Sequence, residues 1–320
     1  MRRLLPVKIA WAWFPLLAGP AHALTFSYTT IAVPGANFTS VAGINSAGEL
    51  VGNYYSDGSP NRYGFTDVNG TFTTLSDPAS AINTAPTGIN DAGQIVGTYY
   101  DSNSVAHGFL YQNNGYTTID DPAAVHGTVV DGINNAGEIV GTYFDSNFGS
   151  HGFIDSGGHF VTIDAPGTTS GTQFAGINNR GQIVGYNNGA GNDFGFVDTN
   201  GSFATVSAPL ADQGTMPLGI NDAGEIDGYY FDTNAPIVFQ GFVEANGVFF
   251  NTIAPGPNPA NPEGINDPGE IVGFYSGGDG DVGFVGTPNS APVPEPASLT
   301  VLSLATCCLG LLRRARGRKQ

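Results

Sequence analysis

The sequence predicts an all-β protein: a closed six-bladed β-propeller of four-stranded antiparallel blades. Three observations carry that expectation. The tripeptide Gly-Ile-Asn recurs at Gly43, Gly88, Gly132, Gly176, Gly219 and Gly264, spaced 45, 44, 44, 43 and 45 residues apart. Self-similarity at about 40–50 residues marks propeller blades. Each unit divides into four short strands at its turn residues. The last unit stops after its third strand, Gly283-Phe284-Val285, whereas Phe26 to Ile31 forms a strand with no unit of its own. That N-terminal strand, ending before Pro34-Gly35, resembles the fourth strands Thr117-Thr118-Ile119 and Val161-Thr162-Ile163. It therefore completes the last blade and closes the ring, a split that a linear solenoid has no reason to make.

The third unit illustrates the elements in order. A first strand ends near Ile133, and Asn134-Asn135-Ala136-Gly137 makes a tight turn in which Gly137 supplies a positive φ. Glu138 to Phe144 form the second strand and Asp145 to Ser150 a turn-rich loop. The third strand runs from about His151 to Asp155, Gly157-Gly158 turns the chain, and the fourth is Phe160 to Ile163. It stops at Asp164-Ala165-Pro166 because proline cannot donate to a ladder. A Gly-Phe pair follows each tripeptide by about twenty residues, at Phe65, Phe109, Phe153, Phe196, Phe242 and Phe284. Outside the two ends, no segment shows a helical period.

Residues 1–23 read as a signal peptide. Arg2, Arg3 and Lys8 precede an apolar run from Ile9 to Ala18, and Ala21-His22-Ala23 supplies the small residues Ala21 and Ala23 that signal peptidase needs. The run is about half of the roughly 20 residues of a membrane span. At the other end, residues 291–320 hold Val293-Pro294-Glu295-Pro296, a largely apolar segment at 299–312, and a basic tail that begins with Arg313 and Arg314. This order resembles the PEP-CTERM sorting signal of Gram-negative bacteria. The resemblance implies recognition by an exosortase, a membrane protease-transpeptidase, and association with exopolysaccharide or biofilm matrix. Fourteen apolar residues rise about 21 Å as a helix, so the segment holds the chain in the inner membrane transiently at best. The Arg/Lys cluster stays cytoplasmic and leaves the preceding chain outside.

The repeats at residues 24–290, especially His107-Gly108-Phe109 and His151-Gly152-Phe153, resemble the extracellular HAF repeat family. That family is defined by its repeats and implies export rather than an activity. Only two of the six units keep the histidine; the others have Tyr63, Phe194, Gln240 and Val282 there.

Composition narrows the partners. The chain has 320 residues, 10 basic and 27 acidic, with a net charge of -17. Such a charge without a basic stripe excludes nucleic acid as a natural partner. Cys307 and Cys308 are adjacent near the C-terminus, so no disulfide framework is expected. No catalytic motif is present. Glu49, Glu138, Glu225 and Glu270 share one repeat position with Gln94 and Gln182, and that mixture fits side chains bonded to a hairpin better than a ring of ionised acids. Asn45, Asn90, Asn134, Asn178, Asn221 and Asn266 read as turn-stabilising. Asp101, Asn103, Asp145, Asn147, Asp279 and Asp281 are candidate calcium ligands, although no loop completes a twelve-residue calcium motif and turn formation is the simpler reading. No other cofactor is expected. The longer loops, joining strands two to three and four to one, share one face, where a ligand is expected. The sequence thus favours an exported binding, adhesion or scaffold module for exopolysaccharide or matrix proteins. A polysaccharide hydrolase or lyase and a structural filler protein stand as alternatives.

Overall fold

The computed structural model describes residues 24–289 apart from 57–60, 78, 81–82, 168–170, 188–193, 236–238, 253–259 and 278–279. The signal-peptide and sorting-signal residues, among them Ala21, Ala23, Val293, Pro294, Glu295, Pro296, Arg313 and Arg314, lie outside the described residues, as does Asp279.

The chain is a six-bladed β-propeller. Six sheets of four antiparallel strands follow one another, and five of them use four consecutive strands. The sixth comprises Asn261–Ile265, Ile271–Gly277 and Gly280–Pro288 with the N-terminal strand Phe26–Ile31 at its outer edge. Phe26 pairs with Pro288 and Ile31 with Gly283, as the split last unit requires. A side-chain bond repeats the equivalence. Tyr54, Tyr99 and Tyr143 each bond a fourth-strand threonine (Thr74, Thr118 and Thr162), and Tyr275 does the same with Thr30 of the N-terminal strand, at 3.2 Å.

Blades bury their faces against one another because a strand alternates its side chains. The phenylalanine of every Gly-Phe pair is buried, at most 5% exposed. The glycine before it is needed for close approach: a Cβ at Gly108 would lie 2.4 Å from Val130 of the next blade, and one at Gly64 2.7 Å from Pro86. The turns obey the same economy. The glycine of each one-to-two turn, from Gly48 to Gly269, has φ between 71° and 83°. Asn69-Gly70, Asn200-Gly201 and Asn246-Gly247 have positive φ at both residues, the type I′ geometry of two-residue hairpins.

The Gly-Ile-Asn motif gathers at the axis. A Cβ on Gly43 would come within 3.2 Å of the Gly88 Cα, and equivalent approaches of 3.2–3.7 Å run around all six glycines. The asparagines lock this collar. Asn134 Oδ1 accepts from the backbone N–H groups of Ala136 and Glu138, while Nδ2 donates to Glu138 Oε2 and to the carbonyl of Asn178 in the next blade. The inter-blade bond recurs six times, at 2.9–3.3 Å, and the last runs from Asn266 back to Asn45. The ring of blades is thus closed twice, at its rim by a strand and at its hub by hydrogen bonds.

Candidate functional site

Most of the polar residues singled out from sequence have structural work. The repeated Glu/Gln position bonds the hairpin asparagine in all six blades, whether acid or amide. Asp101 Oδ1 accepts from the backbone N–H groups of Asn103 and Val105, and Asp145 Oδ1 accepts from those of Asn147 and Gly149. Asp281 accepts from the Ser276 hydroxyl at 2.8 Å. Their carboxylates therefore shape turns, and among the described residues no group of three or more His, Cys, Asp or Glu side chains is arranged to hold a metal ion. The two repeat histidines are likewise local. His107 stacks on Tyr99 and bonds Asp120, and His151 stacks on Tyr143 and bonds Asp164. Burial lowers the His151 pKa, but Asp164 and Asp145 outweigh it and leave the ring above its ordinary value.

The axis itself offers little room. Its two pockets measure about 70 and 80 Å³, space for a few waters. One residue per blade, just before the glycine, faces this channel: Ala42, Thr87, Asp131, Ala175, Leu218 and Glu263. The two acids belong to blades three and six, which stand opposite one another across a six-fold ring. Burial pushes both carboxyls up to about 7; for Glu263 the Ser40 hydroxyl, 2.6 Å away, and the charge of Arg62 ease that shift.

A larger cleft opens between blades five and six. It has a volume of about 490 Å³ and is lined on one side by Tyr229, Phe231 and Phe239 and on the other by Phe274, Ser276, Asn261 and Pro262. Glu263 belongs to its wall as well as to the channel. The positions follow from the strands. Tyr229 and Phe231 end the second strand of blade five (Ile226–Phe231), Phe239 begins the third (Phe239–Ala245), and Asn261 begins blade six. All lie at the strand ends that carry the longer loops, the face on which the sequence places a ligand.

The four rings are half-buried, so each keeps an accessible surface. Tyr229 meets Phe231 at 5.6 Å and 89°, and Phe239 at 5.6 Å and 68°, both edge-to-face contacts. Aromatic surface continues beyond the cleft into blade one: Phe274 is 5.9 Å from Phe38, which stacks on Tyr55 at 4.8 Å beneath the Arg62 guanidinium.

Beneath the cleft lies an unusual acid. Asp227 shares a strand face with Tyr229 and Phe231, is 0% exposed, and has neither carboxyl oxygen in a well-formed hydrogen bond. Burial pushes its pKa up to about 7; the backbone amides of Gly219 and of Asp227 itself ease the shift, while the charge of Glu263 adds to it.

Consensus reading of the repeats missed this site because the site consists of departures from the consensus. Aligning the six units on their glycine gives Asn53, Thr98, Thr142, Tyr186, Tyr229 and Phe274 at one second-strand position. In blade two Thr98 accepts the Val130 N–H of the next blade, whereas blades four, five and six place a ring there, the last two of them in the cleft wall. Two positions earlier, five blades have valine and blade five has Asp227. That substitution and Glu263 were the available signals.

Comparison with known proteins supports the architecture. No family model matches the chain. No curated protein matches it either. Among solved structures, a TolB of Agrobacterium tumefaciens is 11% identical over 79% of this chain and 91% of its own, with a TM-score of 0.53. A lectin of Aleuria aurantia, solved in complex with Fucα1-6GlcNAc, is 11% identical over 82% of this chain and 99% of its own, with a TM-score of 0.49. A TolB of Acinetobacter baumannii is 12% identical over 78% of this chain and 53% of its own, at 0.47. At such identity the likeness to the Agrobacterium protein concerns the propeller fold alone.

Proposed function

We propose that the protein is an exported β-propeller that contacts saccharide chains, the exopolysaccharide of its own matrix in the first instance, through the cleft between blades five and six. The observation that carries this reading is the cleft itself. Half-buried aromatic rings offer flat apolar surface to the C–H face of a sugar, and Glu263, Asn261 and Ser276 offer polar groups to its hydroxyls. The address follows from the sequence. The signal peptide at residues 1–23 and the PEP-CTERM-like segment at 291–320 direct the chain across the inner membrane of a Gram-negative bacterium to signal peptidase and an exosortase, toward the cell envelope or matrix. The HAF-like repeats agree with an extracellular setting. A glycan array and a pull-down on the producer's exopolysaccharide test the binding half. Retention of the protein is expected, and clean failure on both overturns it.

A second reading, a polysaccharide hydrolase or lyase, is favoured by one observation: Glu263, in the cleft wall, has a pKa of about 7, suited to a general acid or base near neutral pH. Incubation with the polysaccharide distinguishes the readings. New chain ends that disappear in a folded Glu263→Gln variant would make the protein an enzyme.

A further inference from the structure

We propose that the saccharide taken by the cleft between blades five and six carries a free amine, its ammonium seated against Glu263 and among the faces of the surrounding rings. The inference rests on the saccharide reading above and names the chemical class of the ligand. Three independent features converge on a cation. The cleft combines four aromatic rings, Tyr229, Phe231, Phe239 and Phe274, with a carboxyl group in one wall, and ring faces attract ammonium groups as well as sugar C–H groups. Asp227, packed on the same strand face as two of those rings and within the field of Glu263, is fully buried with neither oxygen in a well-formed hydrogen bond. Asp227 so enclosed lacks the counter-charge that buried carboxylates ordinarily have, and Glu263 beside it has only the partial one of Arg62. Finally, the propeller at residues 24–290 keeps 26 of the 27 acids and only Arg62 and Arg180 of the ten basic residues, a net charge of -24 that draws cations toward every opening.

A neutral N-acetyl sugar satisfies the rings but leaves the acid pair as it was. An amino sugar satisfies both, and its ammonium favours the ionised form of Glu263, which burial holds near neutrality. Arg62 belongs to the same neighbourhood but lies over Phe38 and Tyr55, so it moderates Glu263 without neutralising it.

The test is a calorimetric titration of the full-length protein with two probes of equal length, glucosamine tetrasaccharide and its fully N-acetylated counterpart, at pH 6.5 and low salt. The amine is expected to bind about tenfold or more tightly than the acetylated probe, and about 0.5 M salt is expected to erase most of that preference. Glu263→Gln, which keeps an oxygen for the Ser40 hydroxyl, is expected to remove the preference, so that the two probes bind alike. Equal or tighter binding of the acetylated probe overturns the amine assignment and leaves the saccharide reading standing; no binding of either overturns both. The ratio of the two probes on the unsubstituted protein is decisive even if the variant fails to fold.

Discussion

Asp227 stands where the other five blades place Val51, Val96, Val140, Val184 and Val272, each of them buried. Nothing in packing asks for an acid there, and an unsatisfied buried carboxyl costs about 1–3 kcal/mol. Asp227→Val is therefore expected to stabilise the protein by about that amount at pH 8, measured by urea denaturation, while weakening capture of a cationic saccharide. The pH dependence has a definite sign. Asp131, Asp227 and Glu263 have folded-state pKa values of about 7, above the roughly 4 of unfolded carboxyls. Between those values the native chain binds protons that the unfolded chain has released, so stability falls as pH rises from about 4 to about 7 and levels beyond. Thermal unfolding between pH 5 and pH 8 is expected to show that fall, and Asp227→Val to show a shallower one. A flat profile would contradict the buried acids. Asp227 was legible in the sequence only as a departure, because Glu225-Ile226-Asp227-Gly228 differs by one letter from the Glu138-Ile139-Val140-Gly141 of blade three.

Strands and turns were legible almost residue by residue, because glycine, asparagine and proline mark where a ladder stops. In the third unit the fourth strand is Phe160–Ile163 and the second Glu138–Phe144, as the punctuation predicts. The inter-blade reach of the asparagine was not legible, since a turn needs only Oδ1 and sequence does not say where Nδ2 points. Asn134→Ala is expected to cost about 2–3 kcal/mol, because it removes both the turn bonds and the hub bond to Asn178. Asn134→Asp keeps Oδ1 but cannot donate, so an intermediate loss in the same denaturation experiment would divide the two roles. Deleting Leu24 to Pro34 removes the outer strand of the last blade and its Thr30–Tyr275 contact. Melting is expected to drop by roughly 10 °C or more, and an unchanged melting temperature would contradict closure at the rim.

The molecule as a whole joins a nearly six-fold scaffold to one asymmetric site. Repetition reveals the scaffold, because every blade must solve the same packing problem at the hub and against its neighbours. The site breaks the repetition: facing rings, Tyr229 and Phe274, stand on both walls of one inter-blade cleft, and acids appear where the matching residues are small or apolar. Composition alone gave the electrostatic half. With only Arg62 and Arg180 against 26 acids, the propeller repels itself, and raising salt from about 0.05 M to about 0.5 M is expected to raise its melting temperature. The other half, an aromatic cleft about 490 Å³ in volume, needed three dimensions, since its walls come from strands of two different blades. The most direct measurement is therefore a titration of exopolysaccharide oligosaccharides into the protein and into a Tyr229→Ala/Phe274→Ala double variant. The rings line the cleft without joining the hub, so the variant is expected to stay folded and to bind about tenfold or more weakly. Undiminished binding by the folded variant would show that saccharide is held elsewhere and contradict the assignment of the cleft.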